Sequence, residues 1–432
     1  MPLRLPPGPP QRSRRHVLAQ LGAFAATALA AGAGDWPQWR GPRRDGHAAP
    51  DEPLPGRLPE NWEPAWSRPA GGGFASPVIA GGRVFLADEQ DGQETLHCLE
   101  LATGRLLWSQ PYAPSFGDEW GSGPRCTPVV TADAVAVQSC RGELRVLARV
   151  DGAVRWGRSF ERDYGVRFLG GGDQSDAAAR RRGHNGAPVL AGGRLFAVVG
   201  NITDAGIVAF DAATGRELWR SQQDEAAYAP PVLADIAGTP QLVVFTAFAL
   251  LALAPADGRV LWRVPLRTAA NRHAVTPVVD GDRVIVSSHT LGLLAFRVAQ
   301  AGAGWAAAPA WARPELKTSL ATAVLADGHL YGQGPDRAFG CVRAAEGAIR
   351  WRERGFGERP LVGYTATLAA GRRLLALTDD GQAVLLAANP EQYEELGRQQ
   401  VCGRTWSHPA LGSGRLVLRD QRTLKAFALR AG

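Results

Sequence analysis

The chain has 432 residues, 45% of them hydrophobic and 21% charged, with 52 glycines, 31 prolines and 5 cysteines. Its formal net charge of +7 rests almost wholly on arginine, Lys317 and Lys425 being the only lysines, and Arg4, Arg12, Arg14 and Arg15 all precede the first acid. Without those four the positive excess is small, which excludes a strong electrostatic footprint for nucleic acid, and an odd number of cysteines cannot all pair.

The chain opens on a targeting pattern. In "RSRRHVLAQLGAFAATALAAGAGDW" Arg14 and Arg15 follow Ser13, an apolar stretch runs from Val17 to Ala31, and small residues stand at Ala28 and Ala30 or at Ala31 and Ala33. That order predicts an export signal over residues 1–33 of the twin-arginine (Tat) type, with an uncleaved anchor as the alternative. The stretch is short for a membrane span. The protein is therefore expected in the periplasm or cell envelope, and not integral to a membrane. Residues 34–61, rich in proline and charge ("RGPRRDGHAAPDEPLPGRLPE"), read as an extended segment wrapping the fold that follows.

Residues 62–432 are built on a repeat. A small residue, usually followed by proline, leads an alternating apolar strand and a tight turn, as in "SPVIAGGRVFLA" at Ser76. The same start returns at Thr127, Ala187, Pro230, Thr276, Thr322, Thr365 and His408. After several copies an apolar run, a Thr-Gly or Asp-Gly turn and a tryptophan follow, as in "CLELATGRLLW". These tryptophans are Trp108, Trp156, Trp219, Trp262 and Trp351. A period of about forty to fifty residues with four short strands per unit predicts an all-β, eight-bladed β-propeller of four-stranded antiparallel blades. Proline at the first residue of a strand loses no ladder bond, glycine suits the hairpin turns, and each tryptophan offers a large face to a neighbouring blade. The copy from His408 has only three strands. Trp66, in "NWEPAWSRP", marks an N-terminal strand that supplies the fourth and closes the ring of a single domain, expected to be a monomer.

Cys98 and Cys341 occupy equivalent repeat positions and read as buried fillers. Cys126 and Cys140 flank a hairpin and invite a disulfide, but a turn at Ala132-Asp133 sets Cys126 opposite Ser139, so only a one-residue bulge would bring the thiols together. "DEQDGQE" (88–94) lacks the alternating carboxylates of a calcium loop and reads as a solvated turn. The longest insertion, 161–185, carries Gly170–Gly172 and Arg180–Arg182, and reads as a charged lid or as a plain surface loop.

The phrase "VAFDAATGRELW" and the stretch "DWPQWRGPRRDG" (35–46) resemble those of the pyrroloquinoline quinone (PQQ)-like propeller family, and the resemblance spans nearly all of the chain beyond residue 33. One branch of that family contains quinoprotein dehydrogenases, which bind PQQ and calcium; another is a lipoprotein scaffold of outer-membrane barrel assembly that carries no cofactor. The dehydrogenase branch also implies an adjacent cysteine pair, and no two cysteines here are neighbours.

No metal or nucleophile motif is present: H-E-x-x-H, C-x-x-C, C-x-x-C-H, G-x-S-x-G and the EF-hand loop are all missing. No metal site is expected, and no catalytic residue is assigned. The segments entering each first strand converge at one mouth of a propeller and contribute Phe74, Arg125, His184, Asn185, Tyr228, Arg272, His273, Tyr364, Trp406 and His408. As a set they suit a planar anion such as PQQ; singly they read as rim residues. Two functions follow: a non-catalytic binding or scaffold protein, engaging a protein partner or small anionic ligand at the mouth without a cofactor, or a quinoprotein-like alcohol or sugar oxidoreductase using PQQ with calcium.

Overall fold

The computed structural model describes residues 32, 34–166, 183–268, 271–358 and 363–429. Arg14, Arg15, the apolar stretch 17–31 and the runs Gly170–Gly172 and Arg180–Arg182 lie outside them. Eight four-stranded antiparallel sheets form an eight-bladed propeller, whose blades begin at Val78, Val129, Val189, Val232, Val278, Val324, Thr365 and Ala410. The strands of a blade are called A to D, from the axis outward. A two-stranded ribbon (Gly117–Asp118 with Gly121–Ser122) and one helical turn, Phe160–Tyr164, are the additions. The last blade is completed by Trp66–Pro69 pairing with Thr423–Ala428, so strands from both ends of the chain close the ring.

The recurring hydroxyl residues join blade to blade. The backbone N–H of His408 donates to Ser76 Oγ (2.8 Å), that of Ser76 to Thr127 Oγ1 (3.2 Å) and that of Thr276 to Thr322 Oγ1 (3.0 Å). Each bond satisfies a buried amide where a strand A begins, an amide that would be costly to leave unpaired.

The recurring tryptophans do the same at the outer end. Each stands on strand D beside a β-bulge, facing strand C. Trp66, Trp108, Trp156, Trp219 and Trp351 donate Nε1–H to Leu101, Arg149, Ala212, Pro255 and Asn389, backbone carbonyls in the next blade's C–D turn, at 2.8–3.3 Å. The indoles of the first four lie over Gly104, Gly152, Gly215 and Gly258, the turn glycines of the same hairpins. An apolar face and one polar edge are thus both satisfied at each seam. Trp311 fills this role in the fifth blade, bonding Ala344 O at 2.9 Å. Its unit lacks the Thr-Gly signal because strands Gly292–Ala301 and Gly304–Arg313 make a longer hairpin. That longer hairpin also takes the docking turn away from Trp262, which instead donates to Gln241 Oε1 in its own blade at 2.7 Å. In the seventh blade the equivalent position, opposite Leu385, is Gly397, and Leu58 packs into the space.

Residues 34–48 do not wrap the rim; they enter the axis. Ser413 N–H donates to Gly34 O, Trp36 exchanges both backbone bonds with Ile79, and Val130 N–H donates to Pro37 O. Trp39 Nε1 donates to Thr276 Oγ1, Arg40 to Thr322 O and Ala323 O, and Arg44 to Ala187 O and Pro188 O, while Ala48 and Gly46 bond Ala369. Only a segment on the axis can reach the innermost strands of seven blades. Arg40 and Arg44 are almost wholly buried, and burial lowers their pKa values to about 10 and about 9. Their guanidinium groups exchange water for carbonyls that a propeller leaves pointing at its axis. The chain then runs out over the seventh and eighth blades, with Leu54 and Leu58 buried, to the closing strand.

All five cysteines are free and buried. Val129 pairs with Ala136 and Val130 with Val135, without a bulge, and extending that register sets Cys126 opposite Ser139. The Cys126 thiol donates to His184 O at 3.0 Å instead of bridging to Cys140. The stretch 88–94 is not a solvated turn throughout: only Asp91-Gly92 turn between the second and third strands of the first blade, Gln90 standing opposite Gln93, while Asp88 and Glu94 lie in the paired strands with their side chains buried. No helix among the described residues is long and apolar enough to cross a membrane.

Candidate functional site

Each of the eight segments leading into a strand A contributes to one cavity of about 410 Å³ at a mouth of the ring. Phe74, Arg125, Asn185, Tyr228, Arg272, Tyr364 and Trp406 come from seven of them, Ser319 and Leu320 from the sixth blade. Trp39, held by its bond to Thr276, adds a wall from the axial segment.

The cavity is aromatic on one side. Phe74 and Trp406 stack with ring centroids 5.5 Å apart, and Trp120 leans on Trp406 at 5.2 Å. The Arg125 guanidinium lies 5.3 Å from the centroids of both Phe74 and Phe116 and pairs with Asp118 at 2.7 Å. Arg125 thus has its charge balanced and serves chiefly to hold the aromatic wall. On the other side Arg272 and His289 face the cavity, and burial, then Arg272 and Lys317, lower the His289 pKa. None of the lining residues is acidic.

Three of the expected site residues stand outside this wall. His184 is buried edge-on to Phe160, with ring centroids 5.1 Å apart. His273 is fully buried, stacked on Phe245 at 4.1 Å and bonded through Nδ1 to Thr246 O. His408 is packed between Trp36 and Trp39, and burial, with Arg40 nearby, lowers its pKa to about 4. All three rings are buried against other aromatic rings, so none is presented to a ligand. Sequence reasoning overlooked Trp39, Trp120 and His289. Trp39 belongs to the axial segment, Trp120 to the ribbon between the first two blades, and His289 to the turn after Arg283–Ser288; none carries the strand A signal.

The PQQ–calcium site implied by the dehydrogenase branch does not fit this wall. Calcium takes six to eight oxygen ligands, carboxylates prominent among them. The cavity offers it no carboxylate, and the described residues contain no group of three or more His, Cys, Asp or Glu side chains placed to hold a metal.

Fold and mouth together define an eight-bladed propeller with a filled axis and an aromatic, cation-bearing cavity. A family model described as outer membrane protein assembly factor BamB matches residues 59–166 and 92–353, and the chain belongs to this family of PQQ-like propellers. Among solved structures it is similar to BamB from Moraxella catarrhalis (14% identity, 86% of this chain and 99% of that chain, TM-score 0.56). It is also similar to the computationally designed protein Ika8 (12% identity, 87% and 99%, TM-score 0.58). A quinohemoprotein alcohol dehydrogenase from Comamonas testosteroni aligns over 93% of this chain and 82% of its own at 16% identity and TM-score 0.47. A search of curated proteins gave no match.

Proposed function

We propose that this chain is an exported, non-catalytic binding protein of the cell envelope, acting as a monomer, and that its ligand or protein partner engages the mouth cavity. The observation that carries this reading is the wall itself: six aromatic rings, a cationic side at Arg272 with His289 beside it, and no carboxylate. Such a wall favours a flat apolar body with a negative charge at one end, bound without a metal. A small planar anion has that chemistry, and so does an aromatic side chain beside an acidic one on a partner protein. The leader with Arg14 and Arg15 supports export.

Calorimetric titration with PQQ, in the presence and absence of calcium, tests the reading together with dye-linked alcohol and sugar dehydrogenase assays. Weak binding that calcium does not tighten, and no dye reduction, are expected. Calcium-dependent binding at micromolar affinity or better, on the order of −8 kcal/mol, with substrate-dependent dye reduction would establish the oxidoreductase instead.

A further inference from the structure

Away from the mouth, three side chains of the first blade form a hydrogen-bonded line. His97 Nε2 lies 2.8 Å from Asp88 Oδ1, and His97 Nδ1 lies 2.7 Å from Ser109 Oγ. The sheet register produces this line: His97 and Ser109 are directly opposite on neighbouring strands, and Asp88, paired with Thr95, is the diagonal neighbour of His97. Sequence separations set by two hairpins leave no short motif to read.

The chemistry of the partners fixes the direction of the bonds. An ionised carboxylate only accepts, so neutral His97 carries its proton on Nε2. Nδ1 is then the lone-pair nitrogen and accepts the Ser109 hydroxyl. Burial would push Asp88 upward, but bonds from His97, the Gly71 N–H (2.8 Å) and Gln90 outweigh it and hold the carboxyl below its usual range. Asp88 is buried, the His97 side chain is 15% exposed and Ser109 stands on an exposed outer strand. The hydroxyl is thus reachable from solvent while its base is oriented from beneath, the arrangement that activates a serine.

We propose that Ser109 is an activated nucleophile and a site of covalent acylation by small activated esters. Ser109 Oγ attacks the ester carbonyl carbon as His97 Nδ1 takes the hydroxyl proton. The bond from that carbon to the leaving oxygen breaks, and the proton passes to the departing alcohol, or to solvent when a stable phenolate leaves. Asp88 is a positioning residue: it sets the tautomer of His97. The site differs from a hydrolase in standing on an open strand, so one acyl group is retained per chain and turnover is not expected. The inference is independent of the mouth cavity.

The test uses the whole protein with p-nitrophenyl acetate, mapping the acetyl group by peptide mass spectrometry. One acetyl group on Ser109 is expected, absent in Ser109→Ala and formed at least tenfold more slowly in Asp88→Asn and His97→Gln, with the native circular dichroism of each variant retained at the assay temperature. Added imidazole should restore Ser109 acetylation in His97→Ala, a rescue that a purely structural histidine would not show. Acetylation confined to Lys317 and Lys425, or Ser109 acetylation at the parent rate in His97→Gln, would overturn the proposal.

Discussion

A methyl group on the α-carbon of Gly215 would sit 2.5 Å from Cδ2 of Trp156, the indole that reaches across from the preceding blade. Gly215 also has φ of 70°, so it answers two demands at once, left-handed backbone and a bare surface for the ring. Gly215→Ala is expected to cost about 2–4 kcal/mol, left-handed strain plus overpacking. Gly193→Ala is the control: its φ is 71° but nothing lies within 4 Å, so only the strain, about 1–2 kcal/mol, applies. Chemical denaturation of both variants checks the difference.

Removing residues 35–69 is expected to destabilise the ring by about 5 kcal/mol or more, since Trp36, Leu54 and Leu58 leave the core and the strand Thr423–Ala428 loses its partner. Melting of the truncated chain at the parent temperature would contradict the closure.

Two buried groups oppose each other in their effect of pH on stability. His408 titrates at about 4 in the fold against 6.5 when unfolded, so the unfolded chain binds more protons between those values and stability from this residue falls as pH drops through that window. Glu94, buried against Tyr112 Oη at 2.9 Å, is raised by burial from 4.5 to about 7; the fold then holds the extra proton, and stability from this residue falls as pH rises from about 4.5 to 7. Glu94→Gln removes the second effect. Its unfolding free energy relative to the parent is expected to grow by about 3 kcal/mol from pH 4.5 to 7, as denaturation at several pH values would show.

The thiols give a simple count. Burial raises the pKa of Cys126 and Cys140 well above the usual thiol value, with that of Cys98 and Cys341 reaching about 11 and Cys402 about 12. Iodoacetamide is therefore expected to leave the native protein unmodified and to label all 5 cysteines after unfolding without reductant. Three labelled thiols would reveal a bridge.

Export is tested at the leader. Replacing Arg14 and Arg15 with lysine is expected to leave unprocessed precursor in the cytoplasm, read by immunoblotting of cell fractions. Normal processing of that variant would rule out the twin-arginine route.

The ring was legible because each blade repeats its own local chemistry. Proline entries, glycine turns and tryptophan anchors are short-range signals, and even the closing strand could be found from Trp66. Trp311 escaped because its anchor role depends on the following blade's turn and on a lengthened hairpin in its own. The axial segment escaped for a different reason: Arg40 and Arg44 look solvent-bound in sequence, and only a ring of inward carbonyls makes them core residues. At the mouth, position in the repeat located Arg125, Arg272 and Trp406, but it could not separate them from His184, His273 and His408, whose rings turn into the blades. The line from Asp88 through His97 to Ser109 depends wholly on register.

The filled axis reverses the order of synthesis. The axial segment leaves the ribosome before any blade exists, yet Arg40 bonds Thr322, Gly46 and Ala48 bond Ala369, Gly34 bonds Ser413, and the edge that receives Trp66 ends at Ala428. The axial segment, made before every blade, is therefore among the last parts to find its place. Such long-range pairing slows folding, and until the final blade is complete the nascent chain carries unpaired sheet edges and a bare tryptophan, surfaces that invite aggregation. A stalled or shortened translation product, even one missing only the last blade, would be left with an open ring and with no strand to receive Trp66 and no partner for Gly34.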